Sequence, residues 1–453
     1  MSLDRRSIIG AGLGLGAAAT AARALEGRSS PRVLAANLSD FSPSLVPDDG
    51  SDQTAALQAA IDTAAEKGAP LILPPGKFIV SDLRLRPGTR LIGAARATTL
   101  VFAGGPAFIT ADKTDGLVLD GLTFDGAYKG FDAARADGLV TLSRTKDVRL
   151  VNLEIRNSAG IGLSLVGCSG RVNGIAISNV LDAGLKSLDA IGLDITGNTL
   201  TECRNNGILI WRSRPDEDGT VVSGNRISKI RNAAGGTGEY GNGINVFRAG
   251  SVLVTNNRIS DCAYTAVRGN TASNIQIIAN RCERLGEVAL YAEFGFEGAL
   301  IANNLVDFAA TGISVTNFNQ SGRLAVIQGN LIRNLFRREH EKEDKRGEGI
   351  GVEADAVVIG NTIENAPTVG IQIGWGPFMR DVAATGNVIR HARVGISVTG
   401  SSQAGKCLIA NNLISDAKEG AIREMQFGAM MGPDLVREPG RNDRIQLAGN
   451  VAV

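Results

Sequence analysis

The sequence predicts an all-β protein, a right-handed single-stranded parallel β-helix with an N-terminal capping helix. The first observation behind this prediction is an asparagine that recurs at spacings of 23 to 38 residues. A loose period with a constant core is typical of stacked coils joined by loops of variable length. The repeated residues are Asn198, Asn225, Asn257, Asn280, Asn304, Asn330, Asn361, Asn387, Asn412 and Asn450.

The second observation is that positions at fixed distances from each Asn stay apolar. Three residues before it stands Ile, Val, Leu or Ala, and two residues after it stands Ile, Val, Leu, Ala or Cys. These two apolar positions are five residues apart, and an odd spacing does not fit strict strand alternation. The Asn between them is therefore predicted at a corner where one strand bends into the next. Asn suits this corner because it tolerates the left-handed backbone region and its amide can bond to the Asn of the next coil.

The third observation is a further alternating segment in each repeat, such as Gly207-Ile208-Leu209-Ile210 and Gly243-Ile244-Asn245-Val246. Three short strands per repeat indicate a parallel β-helix, in which coils stack about 4.8 Å apart. An antiparallel sandwich or a leucine-rich repeat would not explain an Asn at every corner. The Asn-marked repeats therefore favour the β-helix.

The N-terminus predicts an export signal. Arg5 and Arg6 precede a Gly/Ala-rich apolar run, and Ala22-Arg23-Ala24 has the form of a cleavage site. This pattern looks like a twin-arginine signal over residues 1–24, which implies the twin-arginine translocase as a partner and a periplasmic location in a bacterium. A Sec-type signal is the alternative. The run is too short and Gly-rich for stable membrane insertion.

The rest of the chain divides into three predicted parts. Residues 25–47 form a linker, residues 48–115 an N-terminal cap, and residues 116–453 the β-helix repeats with a C-terminal cover. In the cap, Leu57, Ala60, Ile61 and Ala64 recur at helical spacing before Gly68 ends the helix. A solenoid needs such a helix because its first coil would otherwise be exposed.

Charge and cysteine content exclude several functions. The net charge is +1, which gives no field that would attract nucleic acid. The five cysteines occupy largely apolar columns and are predicted as buried free thiols. The sequence predicts no cofactor and no metal; a Ca²⁺ site at Asp216, Glu217 and Asp218 is the alternative.

The cap carries a resemblance to a known family. The acidic turn, the helix containing Thr54, Leu57 and Gln58, and the Pro74-Pro75-Gly76 turn resemble the N-terminal cap of the pectate-lyase superfamily, whose fold is the pectin-lyase-like solenoid. The export signal joined to these repeats also resembles a family of twin-arginine-translocated β-helix proteins of unassigned activity. The Asn-Thr-Asp, Gly-Asp-Asp, Gly-His-Gly and Arg-Ile-Lys motifs of polygalacturonases are absent.

The resemblance implies that a polysaccharide substrate lies along the outer face of the sheet built from the third strands. Strand alternation then predicts which residues lie on or beside that face. Aromatic rings can stack on sugars, and charged groups can bond to hydroxyl and carboxylate groups. The predicted substrate-binding residues are Trp211, Arg212, Asn245, Phe247, Arg248, Gln372 and Trp375.

Two chemistries fit the remaining candidates, which are Lys186, Arg268, Tyr291, Glu293, Glu353 and Asp355. The three acidic residues could supply the paired carboxylates of glycosidic hydrolysis. Lys186, Arg268 or Tyr291 could instead remove a proton from a uronate, giving elimination or epimerisation. The competing hypothesis is a non-catalytic glycan-binding or scaffold protein of the cell envelope.

Overall fold

The structure, a computed structural model, describes residues 36–37, 45–338, 347–438 and 442–453. Residues 36–453 form one compact unit, a parallel β-solenoid of about 14 turns. Each complete turn contributes one strand to each of three parallel sheets, as the repeats predicted. The predicted signal (residues 1–24) and almost all of the predicted linker lie outside the described residues.

The three sheets are named by the order of their strands within a turn. The first sheet comprises Ala36–Asn37, Leu71–Ile72, Arg90–Ile92, Val118–Asp120, Val148–Val151, Gly170–Asn173, Leu193–Thr196, Val221–Ser223, Leu253–Thr255, Ile275–Ile278, Glu297–Ala302, Arg323–Gln328, Ala354–Ile359, Arg380–Thr385, Cys407–Ala410 and Ile445–Ala448. The second comprises Gly76–Val80, Thr98–Phe102, Thr123–Asp125, Glu154–Arg156, Ala176–Val180, Thr199–Cys203, Arg226–Ile230, Arg258–Cys262, Arg281–Leu285, Leu305–Asp307, Leu331–Arg333, Leu413–Ser415 and Val451–Ala452.

The third sheet comprises Leu83–Arg84, Ile109–Asp112, Gly138–Ser143, Ile161–Val166, Leu185–Leu188, Asn206–Glu217, Asn242–Gly250, Val267–Asn270, Val288–Glu293, Thr311–Val315, Glu348–Val352 and Ile422–Gln426. Two long strands, Thr362–Ile373 and Val388–Thr399, run through both the second and the third sheet. Ala429–Asp434 pairs antiparallel with Ile422–Gln426 and forms a hairpin. Phe318–Gln320 is a short 3₁₀ helix.

One continuous apolar core fills the solenoid. The N-terminal turns are filled by large rings, among them Phe78, Phe102, Phe108 and Phe124, which are at most 1% exposed. Later turns are filled mainly by Ile, Val, Leu and Ala from the predicted columns. The helix α1 (Thr54–Glu66) buries Leu57, Ala60, Ile61 and Ala64 against this core, as predicted for a cap.

The predicted asparagines form a continuous ladder at the corner between the first and second sheets. Nine of them are at most 2% exposed. Each donates from its Nδ2 to the Oδ1 of the next Asn at 2.9 to 3.1 Å, and each also donates to a backbone carbonyl. The ladder thus satisfies the polar groups of a buried corner, which would otherwise cost free energy.

One part of the prediction about this corner was wrong. The ladder asparagines do not adopt the left-handed conformation; the residue before each of them does, with φ between 56° and 67°. Six of these ten residues are Gly, three are Asn and one is Ala. The chain therefore turns one residue earlier, and the Asn side chain is left free to point along the ladder.

The coils also begin earlier than Gly116. Leu71–Ile72 already pairs with Arg90–Ile92 in the first sheet, and Gly76–Val80 pairs with Thr98–Phe102 in the second. These first turns have no corner Asn. Their strands were therefore not visible as copies of the repeat.

Two segments extend beyond the regular three-strand turn. Asn206–Glu217 is a strand of 12 residues that continues past Trp211 to Glu217. The predicted C-terminal cover contains the hairpin, in which Met425 is buried while Phe427 and Met431 are 51% exposed.

All five cysteines are buried free thiols, as predicted. Among the described residues, no helix is long and apolar enough to cross a membrane.

Candidate functional site

The outer face of the third sheet is a groove with a polar floor. Paired strands place one outward residue from each turn in a single row along the solenoid axis. This row contains Lys186, Leu209, Asn245, Arg268, Tyr291, Ser314, Gly351, Gln372 and Ser397. The structure therefore places Lys186, Asn245, Arg268, Tyr291 and Gln372 where alternation predicted them.

A second outward position lies two residues further along these strands. Trp211 and Phe247 occupy it in neighbouring turns, and Asn270 and Glu293 occupy it in the next two. The rings of Trp211 and Phe247 meet edge to face, with centroids 6.1 Å apart. These aromatic groups form one wall of the groove.

The groove deepens into a cavity of about 400 Å³ beside these rings. Its far wall is the loop between Arg226–Ile230 and Asn242–Gly250. The lining residues are Trp211, Thr237, Gly238, Glu239, Tyr240, Asn245, Phe247, Arg268, Asn270 and Phe294. The lining therefore includes four of the predicted residues, and in all it presents four aromatic rings, one carboxylate and one guanidinium on one concave surface.

Arg268 is the centre of a buried hydrogen-bond network in this cavity. Its Nε donates to Glu293 Oε1 at 2.6 Å, and its Nη1 lies 3.7 Å from Glu287. Asn270 Nδ2 also donates to Glu293 Oε1, at 3.0 Å. Burial opposes the charge of Arg268, but the hydrogen bond and the charge of Glu293 outweigh this effect and raise its pKa.

The network also holds the loop over the cavity. Arg268 Nη1 donates to the carbonyl of Gly238 at 2.9 Å, and Tyr264 Oη donates to the carbonyl of Gly236 at 3.1 Å. Gly238 has φ 144°, and a Cβ at this residue would overlap the Arg268 guanidinium. Only glycine permits this close approach of the loop to the charged group.

Other predicted residues also make hydrogen bonds or ring contacts within the protein. Trp211 Nε1 donates to Asn245 Oδ1 at 3.2 Å. Lys186 Nζ donates to Asp137 at 2.8 Å and lies 6.0 Å from the Trp211 ring. The Arg248 guanidinium lies 4.6 Å from the Phe247 ring.

Arg212 and Tyr291 complete the predicted set around the cavity. Arg212 Nη1 donates to the carbonyl of Ala190 at 3.2 Å, and Nη2 donates to Asp216 at 3.4 Å. Tyr291 lies with its ring 5.3 Å from the Arg268 guanidinium, and burial raises its pKa. A phenol with a raised pKa keeps its proton at neutral pH, so Tyr291 is a poor general base.

Glu353 lies two strands along the groove from Glu293. It follows Val352 directly, which gives it the same place in its turn as Glu293 has after Ala292. Its Oε2 accepts a hydrogen bond from the backbone N–H of Phe318 at 2.6 Å. Burial raises the pKa of this carboxyl group, so it holds a proton to a higher pH than an exposed Glu.

Asp355 does not lie on the groove. It belongs to Ala354–Ile359 of the first sheet, because only Glu353 separates that strand from Glu348–Val352 of the third. Arg380 and Arg323 both donate to its carboxylate and lower its pKa to about 2. Of the three acidic candidates for paired carboxylates, Asp355 is therefore not available to the groove.

The C-terminal end of the groove carries a second aromatic pair. Trp375 follows Thr362–Ile373, and its ring meets that of Phe427 at 5.9 Å, edge to face. Phe427 lies at the tip of the hairpin. The interaction between Thr399 Oγ and the carbonyl of Gly376, at 2.7 Å, holds the intervening turn against the third sheet.

Several groove residues were missed by the sequence reasoning. Asp137, Glu239, Glu287 and Phe294 come from loops or strand ends that follow no common spacing, so no repeat marked them. Asn270 shares the register of Phe247 and Glu293 but was not singled out. Among the described residues, no group of three or more His, Cys, Asp or Glu side chains is arranged to hold a metal ion.

Family models match most of the described chain. The model "Rhamnogalacturonase A/epimerase, pectate lyase-like" matches residues 36–268, and the model "Right handed beta helix region" matches residues 216–379. Comparison with curated proteins gives no match.

Comparison with solved structures finds similar chains at low identity. The N-terminal fragment of gene product 12 of bacteriophage phi29 has a TM-score of 0.50 and 14% identity, over 86% of this chain and 68% of that one. The catalytic unit of an α-1,3-glucanase from Streptomyces thermodiastaticus has a TM-score of 0.47 and 13% identity, over 94% and 69%. The A-module of a mannuronan C-5 epimerase from Azotobacter vinelandii has a TM-score of 0.39 and 15% identity, over 92% and 99%.

Proposed function

Because the chain belongs to the rhamnogalacturonase A/epimerase, pectate lyase-like family of right-handed β-helix proteins, we propose that it binds an extended polysaccharide in the groove of its third sheet and hydrolyses it. The observation that carries this proposal is the cavity where Trp211, Phe247 and Arg268 meet. Aromatic faces stack on the apolar faces of sugars, and fixed polar groups orient hydroxyls. A groove open along the axis accommodates a chain rather than a single sugar.

Hydrolysis is the reaction that the ionisable groups favour. Glu353, whose pKa is raised by burial, is the proposed general acid that protonates the leaving oxygen. Glu293 is the proposed second carboxylate, two inter-strand steps away, or about 10 Å between backbones. Side chains at that distance can approach the separation of about 6.5–9.5 Å found in inverting glycosidases.

Elimination and epimerisation are less favoured as reactions. Both need a side chain that accepts the C5 proton of a uronate. The pKa values of Arg268 and Tyr291 are both raised, so each keeps its proton at neutral pH. Lys186 is paired with Asp137.

The second candidate function is recognition of a polysaccharide without catalysis. One observation favours it: the charged groups of the groove are largely paired with one another. Glu293 is 2% exposed and bonded to Arg268, and Lys186 is bonded to Asp137. A groove with its charges paired in this way can bind a neutral glycan through stacking and hydroxyl contacts alone.

The test is incubation of the protein with pectate, rhamnogalacturonan, mannuronan and α-1,3-glucan. We expect new reducing ends on at least one of them, without unsaturated products, and loss of this activity in Glu353→Gln. The matched control is Glu364→Gln on the outer face of the second sheet. Unsaturated products would refute hydrolysis, binding without turnover would favour recognition alone, and no binding would refute both functions.

We also propose that the protein is exported by the twin-arginine pathway to the periplasm. The support is the Arg5-Arg6 pair and the apolar run that follows it. Arg5→Lys with Arg6→Lys should retain the protein in the cytoplasm of an expressing bacterium. Unchanged periplasmic recovery of this double variant would refute the pathway.

A further inference from the structure

The protein contains two tryptophans, and the structure places each in an aromatic pair along the same groove. Trp211 pairs with Phe247 at 6.1 Å, and Trp375 pairs with Phe427 at 5.9 Å. Both Trp side chains are partly exposed, and Phe427 is 51% exposed. Only 4% of the residues are aromatic, so two such pairs on one surface indicate a shared role.

The two pairs lie at a fixed distance along the solenoid axis. Trp211 belongs to Asn206–Glu217, and Trp375 follows Thr362–Ile373 by two residues. Six inter-strand steps of the third sheet separate these strands. At about 4.8 Å per step, the tryptophans are about 29 Å apart along the axis.

The floor between the two pairs carries small side chains. The side chains of the outward row are small after Tyr291, with Ser314 and Gly351 in the next two turns. Among the described residues, no atom lies within 4 Å of the position that a Cβ would take at Gly351. Gly351 itself is buried, but within the described residues no large side chain of this row stands between Tyr291 and Gln372, which leaves a path from one aromatic pair towards the other.

We propose that the two aromatic pairs bind the two ends of one polysaccharide segment, so that only a ligand about 29 Å long or longer contacts both. This inference rests on the proposed polysaccharide-binding function and adds the length that the site requires. A fragment too short to reach both pairs gains only one set of stacking contacts. A longer one makes the second contact at high effective concentration, because it is already bound at the first.

The experiment uses the two tryptophans as separate reporters. Trp211→Phe leaves only Trp375, and Trp375→Phe leaves only Trp211; each change keeps an aromatic ring in its pair. Both variants are titrated with size-fractionated fragments of each polysaccharide in the panel of pectate, rhamnogalacturonan, mannuronan and α-1,3-glucan, and Trp fluorescence is measured.

For a polysaccharide that binds, we expect fragments shorter than about 29 Å to bind weakly, and longer fragments to perturb both tryptophans with a Kd at least ~10-fold lower. Phe427→Ala should raise the Kd of the long fragments and leave that of the short fragments at Trp211 unchanged.

Three other outcomes would overturn the inference. If Trp375 never responds while Trp211 does, the second pair is not part of the site. If both respond to the shortest fragments with a Kd that is independent of length, the pairs act as separate sites and the polysaccharide-binding function still stands. If neither responds to any polysaccharide, that function fails together with the inference.

Discussion

Replacing one ladder asparagine should cost far more stability than replacing an asparagine on the surface. Asn225 is 0% exposed and makes four side-chain hydrogen bonds. Its Oδ1 accepts from the backbone N–H and the Nδ2 of Asn198, both at 2.9 Å, and its Nδ2 donates to Ile195 O at 3.0 Å and Asn257 Oδ1 at 2.9 Å. Ala at this position removes all four.

The magnitude follows from these contacts. A buried hydrogen bond contributes about 1 kcal/mol net, and a buried donor left without an acceptor costs about 1–3 kcal/mol. The loss of four bonds, with two donors of Asn198 left unpaired, gives an expected destabilisation of about 3–5 kcal/mol for Asn225→Ala. The matched control is Asn173→Ala, which removes two exposed hydrogen bonds to Thr196 and should cost less than about 1 kcal/mol because water replaces them.

The assay is urea unfolding of both variants, combined with hydrogen exchange of a peptide that contains Asn198. Exchange reports local opening, which matters because a stack of coils can unfold in more than one step. We expect Asn225→Ala to unfold at clearly lower urea and to lose protection at Asn198. If the two variants unfold at the same urea concentration and protection is unchanged, the ladder does not stabilise the corner as argued.

Three further predictions concern single side chains. Asp355→Asn should be less stable than the wild type at pH 5, and this difference should shrink towards pH 2. The reason is that the Asp355 carboxylate, whose pKa is lowered to about 2, stabilises the fold until it is protonated. Urea midpoints at each pH measure the difference. Arg268→Ala should lower the free energy of unfolding by about 3–5 kcal/mol, because it leaves the Glu293 charge buried and unpaired. Gly351→Phe should weaken polysaccharide binding at least ~10-fold, because the ring would stand on the groove floor between Ser314 and Gln372.

Each of these predictions has its own control. A pH-independent effect of Asp355→Asn would show that the arginines are not the source of its contribution. The double variant Arg268→Ala/Glu293→Gln should recover part of the lost stability, and failure to do so would argue against the charge as the cause. Binding that stays unchanged in Gly351→Phe would contradict a ligand path across that residue, and the melting temperature of the variant separates lost binding from lost folding.

The fold could be predicted from the sequence because its core is periodic. The columns beside each Asn correspond to buried positions such as Ile195 and Ile227, and the amide ladder follows from their stacking. The first turns could not be recognised in the same way. Their core uses Phe78, Phe102 and Phe124, and without a corner Asn they do not resemble the later copies.

The groove was only partly predictable, for a related reason. Residues in the middle of third-sheet strands, such as Arg268 and Tyr291, follow alternation and were placed correctly. Alternation fails at strand ends: Asp355 was expected on or beside the groove but belongs to the first sheet, because the corner between the two strands is the single residue Glu353. The contact of Arg268 with Gly238 joins a coil to a loop. Loop residues do not recur with the period of the repeat, so the sequence pattern cannot predict such a contact.

Every amide in the ladder donates in the same direction, from one turn to the one that follows it. A whole turn can therefore be excised or duplicated, for example the 23 residues from Asn257 to Ala279, and the donor of one remaining turn still meets the acceptor of its new neighbour. Each such change would alter the spacing between Trp211 and Trp375 by one inter-strand step of about 4.8 Å. If the two aromatic pairs bind one ligand as proposed, the number of whole turns between them sets the ligand length that the site requires.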